Sequence, residues 1–111
     1  MSNIESFHDW CLNGLASVDG EIKLTLTFYL KRKTIRLFGA TRCLLNNFMI
    51  QNIVHDIRII SCDCSGDFSE KASILDKSYP APSNRDAQEL LIITSSVGAE
   101  GIIEFSSFEV T

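Results

Sequence analysis

The residues best suited to chemistry are concentrated between positions 52 and 69, in the stretch NIVHDIRIISCDCSGDFS. Two thiols, Cys62 and Cys64, lie one residue apart there. Zinc sites space paired cysteines by two to four residues, because the chelate needs a turn between its ligands. On a strand, a C-x-C pair lies on one face, about 6.5–7 Å apart, and could share a metal ion only where the strand ends and curls. We therefore predict no metal or cofactor, and the candidate ligands of any such site are Cys62, Cys64, His55 and His8.

The two His-Asp dipeptides, His8-Asp9 and His55-Asp56, invite comparison with metal phosphohydrolases that carry an HD motif. Those enzymes spread their ligands over many helices, whereas this chain has the pattern of a β protein. His55 shares a strand face with three isoleucines, so we expect it to be a hydrogen-bonded core histidine. A nucleophilic pair of His8 with Cys62 or Cys64 stays conceivable, but no flanking motif supports it, and we predict no catalytic residue.

Length and composition predict one domain over residues 1–111 that needs no disulfide or metal to build its core. No apolar run approaches the about 20 residues that a membrane-crossing helix requires. The first ten residues, MSNIESFHDW, lack the basic and apolar segments of a secretory signal. We therefore expect a cytoplasmic protein whose four cysteines are reduced.

Charge is distributed unevenly along the chain. The net charge is −4, and the excess of acidic groups lies after residue 60. Because affinity for nucleic acid comes mainly from Lys and Arg, the acidic balance argues against nucleic-acid binding. The exception is a basic group within twelve residues, which is either a solvated hairpin or a partner-binding surface. Its members are Lys31, Arg32, Lys33, Arg36 and Arg42.

The clearest structural element is the segment 21–30, EIKLTLTFYL, whose strict alternation predicts a half-buried strand. Asp19-Gly20 predicts a tight turn before it, and Lys31-Arg32-Lys33 a polar turn after it. Alternation resumes at 34–38, with a bend at Gly39-Ala40 and a segment at 41–46 that extends the strand. For the first twenty residues, a strand from about Trp10 is favoured over a helix, because Asn13 and Gly14 weaken a helix.

The second half of the chain predicts further strands and one helix. Residues 50–62 are strand-like, and 63–88 form a connection with a short helix near 67–76. Residues 89–96 are apolar on both faces and predict a central, covered strand, followed by a turn at 98–101. Residues 102–110 predict the closing strand, with a bulge near Ser106-Ser107. The predicted fold is mainly β, with α+β at the margin: an antiparallel sandwich or open barrel of about six strands.

Several short motifs resemble a loosely defined set of small bacterial proteins. These motifs are His8-Asp9-Trp10, Phe38-Gly39 and the stretch NFMIQNI at 47–53, and the resemblance covers roughly residues 7–60. Most such proteins are uncharacterised, and some resemble immunity proteins encoded beside polymorphic toxins. The resemblance implies a cytoplasmic, β-rich, non-enzymatic protein, and it transfers no catalytic residue.

Two classes of function follow from the sequence. The first is a non-enzymatic protein that binds another protein or itself, as an immunity-like inhibitor or a homodimer would. The second is a small-molecule-binding protein or enzyme with a pocket between sheets, lined by His8, His55 or the Cys62/Cys64 pair. The amide-rich residues Asn46-Asn47 and Gln51-Asn52 are expected to satisfy backbone groups at a turn; the alternative is an amide-lined ligand or partner edge.

Overall fold

The computed structural model describes residues 4–61, 66–78 and 89–111, which contain eight strands and one helix. The helix, α1, spans Gly66–Ser78. The protein is mainly β with one short helix, as the sequence predicts. The strands are β1 (Cys11–Val18), β2 (Glu21–Phe28), β3 (Lys31–Phe38), β4 (Arg42–Asn46), β5 (Ile53–Ser61), β6 (Glu89–Val97), β7 (Glu100–Phe105) and β8 (Ser107–Val110).

All eight strands belong to one antiparallel sheet with the order β4-β7-β6-β5-β1-β2-β3-β8. The three predicted hairpins are present as β1–β2, β2–β3 and β6–β7. The chain itself connects the two ends of this order, because β3 leads into β4 and β7 leads into β8. The sheet therefore folds over, so that β1, β2, β3 and β8 lie across the core from β5, β6, β7 and β4.

The sheet has eight strands rather than about six because two predicted strands bend and are interrupted. One break lies at residues 39–41, and the other at Ser106, close to the two predicted bends. Gly39 has a φ of +66°, and a Cβ there would come within 2.6 Å of Ser106 Oγ. Glycine is therefore required where the two bent strands cross. After the bend, residues 42–46 pair with β7 instead of extending β3 along β2.

The turn between β2 and β3 differs from the prediction. Tyr29 and Leu30 form the turn, while Lys31, Arg32 and Lys33 already belong to β3. Phe28 and Lys31 are directly paired across this two-residue connection. The basic residues therefore lie in the first part of a strand, where Arg32 points to the opposite face from Lys31 and Lys33, rather than in a polar loop.

The main core lies between the two halves of the folded sheet. Phe7 and Trp10, from the segment before β1, close this core with their rings at 5.3 Å in a T-shaped contact. The Trp10 side chain is buried in this core. The strands contribute the alternating apolar residues Leu12, Ile22, Leu24, Leu26, Ile35, Leu37, Val54, Ile57, Ile59, Leu91, Ile93, Ile103 and Phe105.

Helix α1 covers the opposite face of β6 and β7. Leu75 packs there on Leu90, Ile92 and Ile102, with Phe68 partly buried beside them. In β6, Leu91 and Ile93 lie in the main core, and Leu90 and Ile92 lie against the helix. Both faces of β6 are therefore covered. The prediction of a central, covered strand is confirmed, and the helix lies close to its predicted span of 67–76.

Three connections meet at one end of the sheet, which we call the apical end. They are the Tyr29-Leu30 turn, the loop 47–52 and the β6–β7 turn at 98–99. The strand register brings them together, since Cys11 pairs with both Thr27 and Ile53, and Ile53 pairs with Val97. The β1–β2 turn at residues 19–20 lies at the opposite, basal end.

A single buried amide, Asn52, ties the apical end together. Its Nδ2 donates to the carbonyls of Leu12 at 3.2 Å and Met49 at 2.9 Å. Its Oδ1 accepts from the backbone N–H of Met49 at 2.9 Å and of Ala99 at 3.0 Å. The expectation that this amide satisfies backbone groups is confirmed, and it does so for β1, the loop 47–52 and the β6–β7 turn at once.

The Asn52 network predicts a large loss of stability on truncation. Asn52→Ala leaves up to four buried backbone groups without this partner, and we expect the free energy of unfolding to fall by about 3 kcal/mol. Asn46→Ala, at an exposed amide of the same region, should change it by less than about 0.5 kcal/mol. Chemical denaturation followed by circular dichroism measures both, and similar values for the two variants would contradict the assigned role.

Candidate functional site

The structure brings His8 and His55 together, but on the surface. Their rings are 5.4 Å apart in a T-shaped contact, and His8 Nδ1 lies 2.9 Å from the His55 carbonyl oxygen. The prediction that His55 faces the core is wrong, because the β5–β6 register shifts between Ile53 and Asp56. This bulge turns His55 outward and places Val54, Ile57 and Ile59 in the core. A pocket between the sheets lined by these histidines is therefore not formed.

The candidate thiols Cys62 and Cys64 lie outside the described residues. Over the ranges 4–61, 66–78 and 89–111, no group of three or more His, Cys, Asp or Glu side chains is arranged to hold a metal ion. Beside the paired imidazoles of His8 and His55 lies the Asp9 carboxylate, with His8 Nε2 at 3.5 Å from Asp9 Oδ1.

The five basic candidates do not form one surface. Lys33 is paired with Glu5, and Arg36 Nε donates to Glu21 Oε1 at 2.6 Å. This hydrogen bond holds the pKa of the Glu21 carboxyl below its ordinary value and raises the pKa of Arg36. The Arg36 guanidinium also lies 5.2 Å from the centre of the Phe38 ring. Two exposed members remain beside the apical turn: Lys31 and Arg32.

The fifth candidate, Arg42, is only 4% exposed and lies beneath helix α1. Its Nε and Nη2 donate to the two carboxylate oxygens of Glu104 at 3.1 and 2.9 Å, and Nη1 donates to Asp76 of α1 at 2.6 Å. Thr41 Oγ1 adds a hydrogen bond to Glu104 Oε1 at 2.6 Å. These charge-assisted hydrogen bonds, that to Glu104 first, raise the pKa of Arg42 above its ordinary value. Arg42 therefore joins β4, β7 and the helix, and its guanidinium does not belong to the exposed basic group.

Exposed apolar side chains are concentrated at the apical end, where the sequence analysis placed no site. Leu30 and Ile50 are fully exposed, and Tyr29 is 90% exposed. We call this group the apical surface. It consists of Tyr29, Leu30, Phe48, Met49, Ile50 and Val97. Several large apolar side chains exposed at one end of a protein make that end a candidate binding surface.

The Tyr29-Leu30 turn places a bulky residue at positive φ, whereas the turn at the basal end uses residue types that tolerate positive φ. At the basal end, Asp19 and Gly20 have φ values of +49° and +76°, and these residue types suit a two-residue hairpin turn. At the apical end, Tyr29 has a φ of +55°, a conformation that costs a bulky residue about 1–2 kcal/mol. Neither side chain of this turn is buried, so burial does not offset this cost. The Tyr29 ring contacts the Phe28 ring, with ring centres 4.6 Å apart.

A pocket of about 410 Å³ adjoins this turn, and we call it the Asp9 pocket. Its lining residues are Asp9, Cys11, Thr27, Phe28, Tyr29 and Ile53. The Phe28 ring is supported from behind, because it stacks on Trp10 with centres 5.5 Å apart. The pocket thus combines a rigid aromatic wall with one exposed carboxylate.

A second groove of about 230 Å³ lies between α1 and the apical ends of β4, β6 and β7. Its lining includes the amides of Asn46 and Asn47, together with Lys71 and Ile74 of the helix. Two of the four amides considered from the sequence, Asn46 and Asn47, therefore line a groove, whereas Gln51 and Asn52 do not. Glu100 offsets the charge of Lys71 in this groove. The groove has no distinct electrostatic character that selects a ligand.

Comparison of the chain with protein-family models, with curated proteins and with solved structures finds no match. Among the described residues, no helix is long and apolar enough to cross a membrane.

The buried ion pair predicts a specific pattern in a double-mutant experiment. Arg42→Met leaves Glu104 buried without its bidentate partner, so we expect the free energy of unfolding to fall by about 3–5 kcal/mol. Arg42→Met combined with Glu104→Leu removes both charges and should recover most of that loss. Denaturant titration of the two single variants and the double variant checks this pattern, which additive effects would contradict.

The two described cysteines should differ in reactivity. Burial raises the pKa of the Cys43 thiol, so less of the reactive thiolate is present at a given pH. In the native protein we expect Cys43 to be alkylated at least about tenfold more slowly than in the denatured chain. Cys11, which lines the Asp9 pocket, should react before Cys43. Timed alkylation at neutral pH followed by peptide mass mapping measures this order, and equal native rates would contradict it.

Proposed function

We propose that this chain is a small, non-enzymatic, cytoplasmic bacterial protein that acts by binding another protein through its apical surface. The observation that carries the proposal is the Tyr29-Leu30 turn. Tyr29 adopts a φ of +55° while 90% exposed, and Leu30 beside it is fully exposed. A residue whose type is unfavourable for its backbone conformation, and whose side chain is not buried, is typical of functional sites.

The rest of the apical surface supports the proposal because it is held in place. Met49 is bonded through both its N–H and its carbonyl to the Asn52 side chain, which fixes the loop that carries Phe48 and Ile50. A surface that is already ordered loses less conformational entropy when a partner binds. Apolar and aromatic anchors beside exposed Lys31 and Arg32 also match the composition of protein interfaces.

The form of binding follows one of two expectations from the sequence resemblance. An immunity-like protein would bind a toxin domain, and a self-associating protein would form a homodimer. Both use the same apical surface in this proposal. The alternative function, a small-molecule pocket between the sheets, loses its main support because His55 is exposed and apolar side chains occupy the space between the two halves of the sheet.

The proposal predicts that the apical turn can be replaced without harm to the fold but with loss of binding. In the double variant Tyr29→Gly/Leu30→Asn, glycine suits the positive φ of position 29 and asparagine suits the second turn position, so the free energy of unfolding should stay equal or rise by up to about 1 kcal/mol. Pull-down from a lysate of the source cells, with intact-mass analysis, then compares this variant with the native protein. Sedimentation of the purified proteins detects self-association.

The matched control is Val18→Asn, which removes a 64% exposed apolar side chain at the basal end. We expect the native protein and this control to bind the same partner, or to self-associate equally, and the turn variant to do neither. Equal binding by the turn variant, or a monomeric native protein that captures no protein, would sink the proposal. A co-purifying metal or small ligand in place of a protein would favour the alternative function.

A further inference from the structure

We propose that the Asp9 pocket binds a guanidinium group, supplied in the cell by an arginine side chain of the protein partner. This inference rests on the proposed function for the identity of the occupant, and it specifies the chemistry of one position in that interface. It is carried by three features of the pocket: its charge, its aromatic wall and the conformation of the residues that form it.

The charge of the pocket comes from Asp9. It is the one ionisable carboxylate among the lining residues, and its side chain is 62% exposed. Asp9 has a φ of +69°, and its backbone N–H donates to the Val54 carbonyl at 2.9 Å. The carboxylate is therefore carried by a fixed backbone in the lining of the pocket. Its Oδ1 lies 3.5 Å from His8 Nε2, and the remaining lone pairs of the two oxygens can still accept two parallel N–H bonds from a guanidinium.

The aromatic wall favours a planar cation over an ammonium group. Phe28 stacks on Trp10 at an interplanar angle of 24°, and the Tyr29 ring meets Phe28 edge-on. A guanidinium is weakly hydrated and stacks on aromatic faces, so it loses less solvation on entering such a site than lysine does. A volume of about 410 Å³ is ample for an arginine side chain.

The neighbouring Arg32 does not occupy this site. It pairs with Thr27 across the β2–β3 hairpin but does not line the pocket. Thr27 Oγ1 is also bonded, since it accepts from Asn13 Nδ2 at 2.7 Å. Asp9 and Tyr29 both have positive φ values, so two of the four non-glycine residues with positive φ in the described part of the chain line one cavity. That coincidence is expected of a built site.

The test uses the purified native chain and a small probe, N-acetyl-arginine amide, followed by amide chemical shifts in NMR. The control probe is N-acetyl-citrulline amide, which has the same shape without the charge. We expect saturable shifts from the arginine probe at residues 9, 27–29 and 53, and at least about fivefold weaker binding of the citrulline probe. Shifts of equal size from both probes, or shifts centred elsewhere, would overturn the inference.

Two variants sharpen the result. Asp9→Asn keeps a residue type that tolerates positive φ and should weaken the arginine probe at least about fivefold. Arg32→Gln removes a nearby positive charge and should leave binding equal or tighter; weaker binding would contradict the assignment. Because the probe assay needs no partner, the two proposals fail separately. A captured partner without probe binding refutes only the pocket, whereas probe binding without a captured partner refutes the proposed function.

Discussion

The apical end of this protein depends on one buried side chain, the amide of Asn52. An amide presents two donors and an acceptor with two lone pairs, and Asn52 uses them on four backbone groups from three chain segments. Gly98 is part of the same constraint, because a Cβ there would lie 2.3 Å from Asn52 Oδ1. A side chain at position 98 would displace the amide, and the loop 47–52 would lose its attachment to β1. The hydrogen bonds of the Asn52 side chain thus hold the loop in the conformation in which Phe48 and Ile50 are exposed.

A second polar network fixes the other side of the fold. The bidentate contact of Arg42 with Glu104 sets β4 against β7, and Asp76 extends the same contact to α1. An apolar contact tolerates sliding, whereas a fork of two N–H bonds requires one register. Where β4 and β8 end the strand order, such fixation is needed, since each is short and has one neighbouring strand in the sheet. The apolar core therefore supplies the burial that stabilises the fold, while the two polar networks select the arrangement of its strands.

Much of the fold was predictable, because strand periodicity is a local property. Residues 21–28 alternate, and residues 89–96 are apolar on both faces, so the half-buried strand and the covered strand followed directly from the sequence. His55 could not be placed, because a register shift of one residue reverses the face of every side chain before it and leaves no mark in composition. Arg42 was grouped with Lys31 by sequence proximity, whereas its partner Glu104 lies 62 residues away. The apical surface was missed because apolar alternation continues through Leu30 and Tyr29 favours strands, which extended the predicted strand through the turn. Neither residue is a turn type, so the sequence carries no local signal of a turn at this point.

The energetics of the apical end favour a binding role over a purely structural one. The Asp19-Gly20 turn closes a two-residue hairpin with residue types that tolerate positive φ, whereas the Tyr29-Leu30 turn places a tyrosine in a left-handed conformation at its first position. Exposure of Leu30 and Ile50 adds no burial to the monomer, so the folded chain gains nothing from either residue. Rigid support by Asn52 and by the Trp10–Phe28 stack removes much of the entropy that a flexible loop would lose on association. Local conformational cost, solvent exposure and rigid support coincide at the apical end beside the Asp9 carboxylate, and this coincidence is the physical basis for proposing a binding role there.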